Sequence, residues 1–301
     1  MAVDDKDTKV AELLSYTLMN KQHESLIWLP RYRHRIAIAS AWSIPPGSSV
    51  LDIGCGQGES SLTLALELGP ESHITGIDTA ALDYGTPYSI RQSQAHLLTS
   101  PYGSRISFAQ TDAATLLTAL HHFTAATLCH SLWYFPTGAS VDALFATLAR
   151  ARVPRVYVAE YGFRAATPRQ LPHLLAAQTL ARLHAHTSSE ATQALGADPS
   201  KSFNVRAAPD TEAIVGAAAA AGFSVVRQGV ITPGPDYVEG GLEVKHVMGE
   251  RFAAGVREKG LAGEREAEVL ALAAKVRAAV RELGEEGVSP SMDVWWAEFG
   301  L

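Results

Sequence analysis

The chain has 301 residues, 47% of them hydrophobic and 19% charged, the composition of a folded globular protein with a core of its own. A formal net charge of −6 argues against sequence-independent nucleic-acid binding by the whole surface, and no apolar run is long enough to span a bilayer. Cys55 and Cys129 sit in apolar, strand-like contexts that suggest no disulfide framework, and the acidic start MAVDDKDTKVAELL lacks a secretion-signal core. A reducing, cytoplasmic setting is therefore expected.

In chain order, residues 1–44 read as a helical cap. Within it RYRHR (31–35) falls in a helical pattern with Ile36, Ile38 and Trp42, and is expected to be a solvated basic face rather than an RNA patch. The run SSVLDIG (48–54) reads as a strand and is followed by a helix from about Gln57 to Leu68. HITGID (73–78) precedes a helical stretch around 87–99, and RISFAQTD (105–112) precedes a short helix. FTAATLCHS (123–131) precedes the helical ASVDALFATLARA, and RVYVAEYG (155–162) is the fifth strand. Such alternation, with strands that are apolar throughout, means a parallel sheet covered on both faces.

After the fifth strand the rhythm changes, with Pro168 and Pro172 interrupting a helical segment. A clean helix follows, with Asp210 as N-cap, TEAIVGAAAAA as body and Gly222 just past its end. FSVVRQGVIT (223–232) reads as a sixth strand, and MDVWWAEFGL closes the chain as a seventh. The expected architecture is an α/β fold: a doubly wound, mostly parallel seven-stranded sheet. The core covers 45–301, with helical lid insertions at about 163–209 and 233–290 that leave from the strand C-terminal edge, where such sheets bind ligands.

The stretch VLDIGCGQGESS (50–61) is a strand running into a glycine-rich turn that opens a helix. A dinucleotide fingerprint wants a third glycine where Glu59 stands, and a pyrophosphate would meet carboxylates at Asp52 and Glu59. A phosphate-free, positively charged nucleoside such as S-adenosylmethionine fits that charge better. Asp78, ending the second strand, is placed to accept from ribose hydroxyls, with a helix N-cap as the alternative role here and at Asp112. Asp112, ending the third, is placed for the adenine amino group, with the Ala113 N–H beside it, and Cys129 and His130 end the fourth near the amino acid part.

VLDIGCGQG, GID, TDA and LCHSLW, in this order, resemble the class I S-adenosylmethionine-dependent methyltransferases over about residues 45–160. The resemblance implies that Asp52, Gly54, Gly56 and Gly58 frame the methionine part, Asp78 the ribose, and Asp112 with Ala113 the adenine. Roughly sixty residues separate the last two strands, where that family usually has a short hairpin. The Asn/Asp-Pro-Pro-aromatic turn of amino-methylating nucleic-acid enzymes is missing after the fourth strand, where HSLW stands.

The expected reaction is methyl transfer to an O, N or S atom of a small organic acceptor, aromatic or a secondary metabolite. The alternatives are a methyltransferase of RNA or protein, and a cofactor-binding fold that transfers nothing. Tyr16, His23, Trp28, Tyr32 and His34 in the cap, with Trp133 and Tyr134 after the fourth strand, are the candidate acceptor residues. His130 is the candidate general base, with an unperturbed pKa near neutrality. His121–His122 and His184/His186 lack i,i+4 spacing and acidic or cysteine partners, so they read as solvated histidines and no metal site is expected.

Overall fold

The structure, a computed structural model, describes residues 5–119, 122–187, 205–237, 239–284 and 290–301. His121 and the 188–204 part of the first insertion, both touched on above, lie outside the described residues.

Seven strands form one sheet: β1 (Ser49–Ile53), β2 (His73–Asp78), β3 (Ile106–Gln110), β4 (Ala125–Cys129), β5 (Arg155–Tyr161), β6 (Ser224–Ile231) and β7 (Val294–Gly300). Their order is β3-β2-β1-β4-β5-β7-β6. The first five run parallel, and β7 is antiparallel to both β5 and β6. The winding reverses between β1 and β4, which opens a crevice at their C-terminal ends. β1 and β4 are buried along nearly their whole length.

Two helices form the cap, α1 (Asp5–Ser15) and α2 (Leu29–Trp42), joined through a 3₁₀ turn at Lys21–His23 and a π turn at Glu24–Trp28. Four follow between the parallel strands: α3 (Glu59–Glu67), α4 (Ile90–Leu97), α5 (Ala113–Ala119) and α6 (Gly138–Arg150). Capping fixes their starts. The Ser89 hydroxyl accepts from the Gln92 N–H, and the Thr137 hydroxyl accepts from the Ser140 N–H. Next come α7 (Leu171–Thr187) and α8 (Thr211–Ala220). Asp210 accepts from the Ala213 N–H at 2.8 Å, and Gly222 takes φ +97°, so both expected caps of α8 are present. The second insertion contributes α9 (Gly240–Met248), α10 (Glu250–Glu258) and α11 (Gly263–Glu282).

On one face of the sheet, α5, α6 and α8 bury Leu117, Phe145, Leu148 and Ile214 against Leu51, Leu128, Val158 and Phe299. On the other face, cap, α3 and both insertions share a single apolar cluster with the sheet, running from Val10 and Leu13 through Trp42 and Leu180 to Val276. The insertions pack on one another, α7 against α9 and α11. The lid is therefore continuous with the core, and it sits over the ends of β4 and β5.

Candidate active site

Close approach shapes the turn after β1. Gly54 has φ +74°, and a side chain there would begin 2.6 Å from the Ser131 Cβ. Gly56 has φ +51°, and nothing lies within 4 Å of where a side chain would begin, so the turn opens onto free space at that point. Gly58, with φ +99°, precedes α3 and explains why that helix starts at Glu59.

Asp78 stands beside this opening. Its Oδ2 accepts the Gly56 N–H at 2.9 Å and its Oδ1 the Ala80 N–H at 2.8 Å, which leaves each oxygen a further lone pair. Asp112 is exposed at the end of β3 and caps α5, its Oδ1 accepting the Thr115 N–H at 2.8 Å and its Oδ2 the Thr115 hydroxyl at 2.9 Å. The Thr115 N–H is the main reason its carboxyl lies below the ordinary range. Ala113 is buried directly behind it.

Asp52 corrects the sequence reading. Its side chain is 0% exposed and turned into the protein, where Ser60 and Ser61 donate to Oδ2 at 2.6 Å each and Thr127 donates to Oδ1 at 3.0 Å. Burial raises its pKa against the pull of those three hydroxyls. Its work is to tie β1, α3 and β4 together, with no oxygen left facing the open space.

The basic run RYRHR is a second correction. Only Arg33 faces solvent, pairing with Asp7 and Asp236. Arg31 lies against the Trp28 ring at 4.7 Å, pairs with Glu59 at 3.1 Å and hydrogen-bonds Glu239 from the second insertion. Burial alone would raise Glu239, but Arg31 and Arg35 outweigh it and hold that carboxyl at about 2. The Glu59 charge is thus compensated, so its repulsion of a pyrophosphate is weaker than the sequence implied; the missing third glycine still stands. Tyr32 is buried and shares a 2.5 Å hydrogen bond with Thr17.

His130 ends β4 in a left-handed backbone conformation, φ +52°, with its N–H donating to the Ala159 carbonyl. The ring lies between the cap and β5: its Nε2 is 3.1 Å from the His34 Nε2, and its Nδ1 is 3.5 Å from a Glu160 oxygen. Glu160 is 1% exposed, and its other oxygen accepts the Leu132 and Trp133 N–H groups. His34 is buried, and that burial, with the charges of His130 and Arg35, keeps its pKa well below the ordinary value.

An aromatic shell surrounds this line. Tyr161 packs 4.7 Å from the His130 ring, Trp133 lies 5.1 Å from Tyr161, and His173 of α7 meets Tyr161 edge-on at 4.8 Å. The His173 Nδ1 accepts the Met292 N–H, so its hydrogen sits on Nε2, and burial lowers its pKa to about 3. Tyr237 stacks 4.4 Å from His34 and donates to Glu239. Glu243 of α9 has a buried Oε2 without a hydrogen-bond partner, and burial pushes its carboxyl up to about 7.

Of the expected acceptor residues, Trp133 lies inside this shell, and its indole Nε1 is buried without a hydrogen-bond partner. Tyr134 is 45% exposed, at the surface. Tyr16, Trp28 and Tyr32 line a separate small cleft against Gln57 and Glu59, beside the glycine turn and not around His130. His23 and His122 are exposed. His184 bonds the Pro136 carbonyl and His186 pairs with Glu268, and no group of three or more metal-type side chains stands together among the described residues. Cys129 is buried, which pushes its thiol up to about 12.

The sequence reading missed Glu160, Tyr161, His173, Tyr237, Glu239 and Glu243. Glu160 had left a signal, as a carboxylate inside the apolar strand VYVAEY. Tyr161 follows it in the same strand, and the other four are set by how the insertions fold back.

A methyltransferase-domain family model matches residues 50–155. Methyltransferase phomM' of Diaporthe leptostromiformis is 44% identical, over 95% of this chain and 88% of its own. Among solved structures, a cyclopropane-fatty-acyl-phospholipid synthase-like protein from Lactobacillus casei superposes with a TM-score of 0.80 at 25% identity, over 98% of this chain and 100% of its own. The [4+2]-cyclase SpnF shares the fold, with a TM-score of 0.51 at 17% identity over 98% of this chain and 93% of its own.

Proposed function

Because this chain belongs to the class I S-adenosylmethionine-dependent methyltransferases, we propose that it methylates an O, N or S atom of a small organic acceptor held under the lid at the ends of β4 and β5. The single observation that supports this most is the buried His34–His130–Glu160 line, enclosed by Trp133, Tyr161, His173 and Tyr237. Imidazole and aromatic faces brought together in this way suit a small organic acceptor. No described helix is long and apolar enough to cross a membrane.

The residues present fit the family's cofactor. Open space at Gly56 lets the backbone approach a ligand, Asp78 has lone pairs free for two ribose hydroxyls, and Asp112 with Ala113 stands at the next strand end. When bound, the cofactor supplies a methyl group already activated on a sulfonium. What remains for the protein is alignment, exclusion of water and, for acceptors that must lose a proton, a path for it.

The histidine line supplies that path. With His130 carrying its hydrogen on Nδ1 toward Glu160, its Nε2 accepts from the His34 Nε2–H. A proton taken at the His34 Nδ1 is then matched by transfer of the Nε2 hydrogen to His130, and the positive charge comes to rest beside Glu160. His34 starts neutral, as the relay needs. The left-handed turn at His130 and the Glu160 bonds to the Leu132 and Trp133 N–H groups fix the ring before the acceptor arrives.

The test is conversion of S-adenosylmethionine to S-adenosylhomocysteine with a panel of small phenols, amines, thiols and carboxylic acids, products weighed by mass spectrometry. At least one should gain a methyl group, at a rate lowered by about a hundredfold in His130→Asn. Conversion with RNA or protein acceptors alone, or tight cofactor binding without any transfer, would overturn the reading.

A further inference from the structure

Two N–H donors in the aromatic shell have nothing to donate to. The Trp133 Nε1 and the His173 Nε2 are buried without a hydrogen-bond partner, on residues that are 2% and 0% exposed. The His173 hydrogen is fixed by its other nitrogen: Nδ1 accepts the Met292 N–H at 2.9 Å, which leaves the donor on Nε2. The ring is also held from the side, because Gly240 lies so close that any side chain there would overlap it. A buried N–H left unpaired costs free energy, and native structures seldom keep two in one place unless something completes them.

The two donors do share one place. The Trp133 and His173 rings meet with centroids 6.2 Å apart, and both pack on Tyr161, at 5.1 Å and 4.8 Å. Tyr161 in turn lies 4.7 Å from the His130 ring, so the pair stands one ring away from the histidine line. Trp133 follows β4 and His173 belongs to α7, so sheet and lid supply one donor each. A carbonyl oxygen has two lone pairs and takes two such donors at once. Charge narrows the choice further. His173 is neutral, and the charges that act on Tyr134, beside Trp133, and on Tyr161 are chiefly those of the carboxylates Glu239 and Glu243. An anionic oxygen would be repelled there, whereas a neutral carbonyl would not.

We propose that the acceptor carries a neutral carbonyl, that of an amide, ester or ketone, and that the Trp133 Nε1–H and His173 Nε2–H receive its oxygen. This rests on the acceptor site proposed above and adds a second point of attachment to it. The histidine line serves the atom that is methylated, while the N–H pair sets which way round the molecule lies. The carbonyl bridges sheet and lid, so neither half selects the acceptor alone.

Two readouts on the full chain decide it. The chain has five tryptophans, so NMR of the indole N–H groups gives few signals, and Trp133→Phe identifies the relevant one. With S-adenosylhomocysteine present, 3-hydroxyacetophenone should move that signal downfield, and 3-ethylphenol, with CH2 in place of the carbonyl, should not. In turnover with S-adenosylmethionine, the 3-hydroxy-, 3-amino- and 3-mercapto-acetophenones are compared with their matched ethyl compounds. At least one ketone should have a KM about tenfold below its partner's, the range of one or two neutral hydrogen bonds. His173→Asn keeps an oxygen for the Met292 N–H but withdraws the far donor, and should cut that ratio to about threefold or less. Equal KM within every pair overturns the proposal without any variant having to fold. So do indole signals that all stay in place at saturating ketone, and so does a preference for 3-hydroxybenzoate over the ketone. Turnover confined to RNA or protein acceptors would instead remove the acceptor site itself, a failure distinct from these.

Discussion

Along one sheet edge, two regions are assembled by different means. At β1–β3 a glycine turn and two carboxylates are held by bonds that span no more than 22 positions: Asp112 by Thr115, Asp78 by Ala80 and Gly56. At β4–β5 the groups are side chains brought from distant parts of the chain. His34 reaches His130 across 96 positions, and Arg31 reaches Glu239 across 208. The first region needs little more than its own strand ends, whereas the second exists only when cap and lid have folded over the sheet. Damage to one should therefore leave the other working.

The largest effect expected on the fold comes from Asp52, which belongs to neither region and carries both. Asp52→Ala leaves three buried hydroxyls without an acceptor and should cost about 3–5 kcal/mol in urea unfolding. A cost below about 1 kcal/mol would mean that the carboxylate does not tie β1, α3 and β4 together.

A smaller effect should mark the lid through pH. Glu243 titrates at about 7 in the folded protein against an ordinary 4.5. Between those values the folded state keeps a proton that the unfolded state has lost, so stability falls as pH rises through the window and is flat above it. Melting temperatures of wild type should follow that slope, and Glu243→Gln should flatten it. An unchanged slope in the variant would place Glu243 in water and the lid off the site. Smallest is the cap of α8, remote from both regions: Asp210→Ala should cost about 1 kcal/mol and leave cofactor affinity unaltered.

The same contrast explains what the sequence disclosed. The seven strands, the glycine turn and the α8 caps all follow from patterns a few residues long. RYRHR was misjudged because helical periodicity tells which residues share a face and nothing about what covers it. Its cover is Glu59 and, much further on, Glu239. Asp52 looked like a ligand group because of its place at a strand end, and its inward turn depends on Thr127, 75 positions away. His34 stood among several cap aromatics with nothing local to single it out, and only the fold brings it to His130.

The most direct test is calorimetric titration of S-adenosylhomocysteine into wild type, Asp78→Ala and His34→Gln in parallel. The account predicts binding in wild type and a loss beyond tenfold in Asp78→Ala, about 2–4 kcal/mol for two hydrogen bonds to a charged acceptor. In His34→Gln the affinity should stay within about threefold of wild type. No binding in wild type, or an equal loss in both variants, would contradict the division of the sheet edge into a cofactor half and an acceptor half.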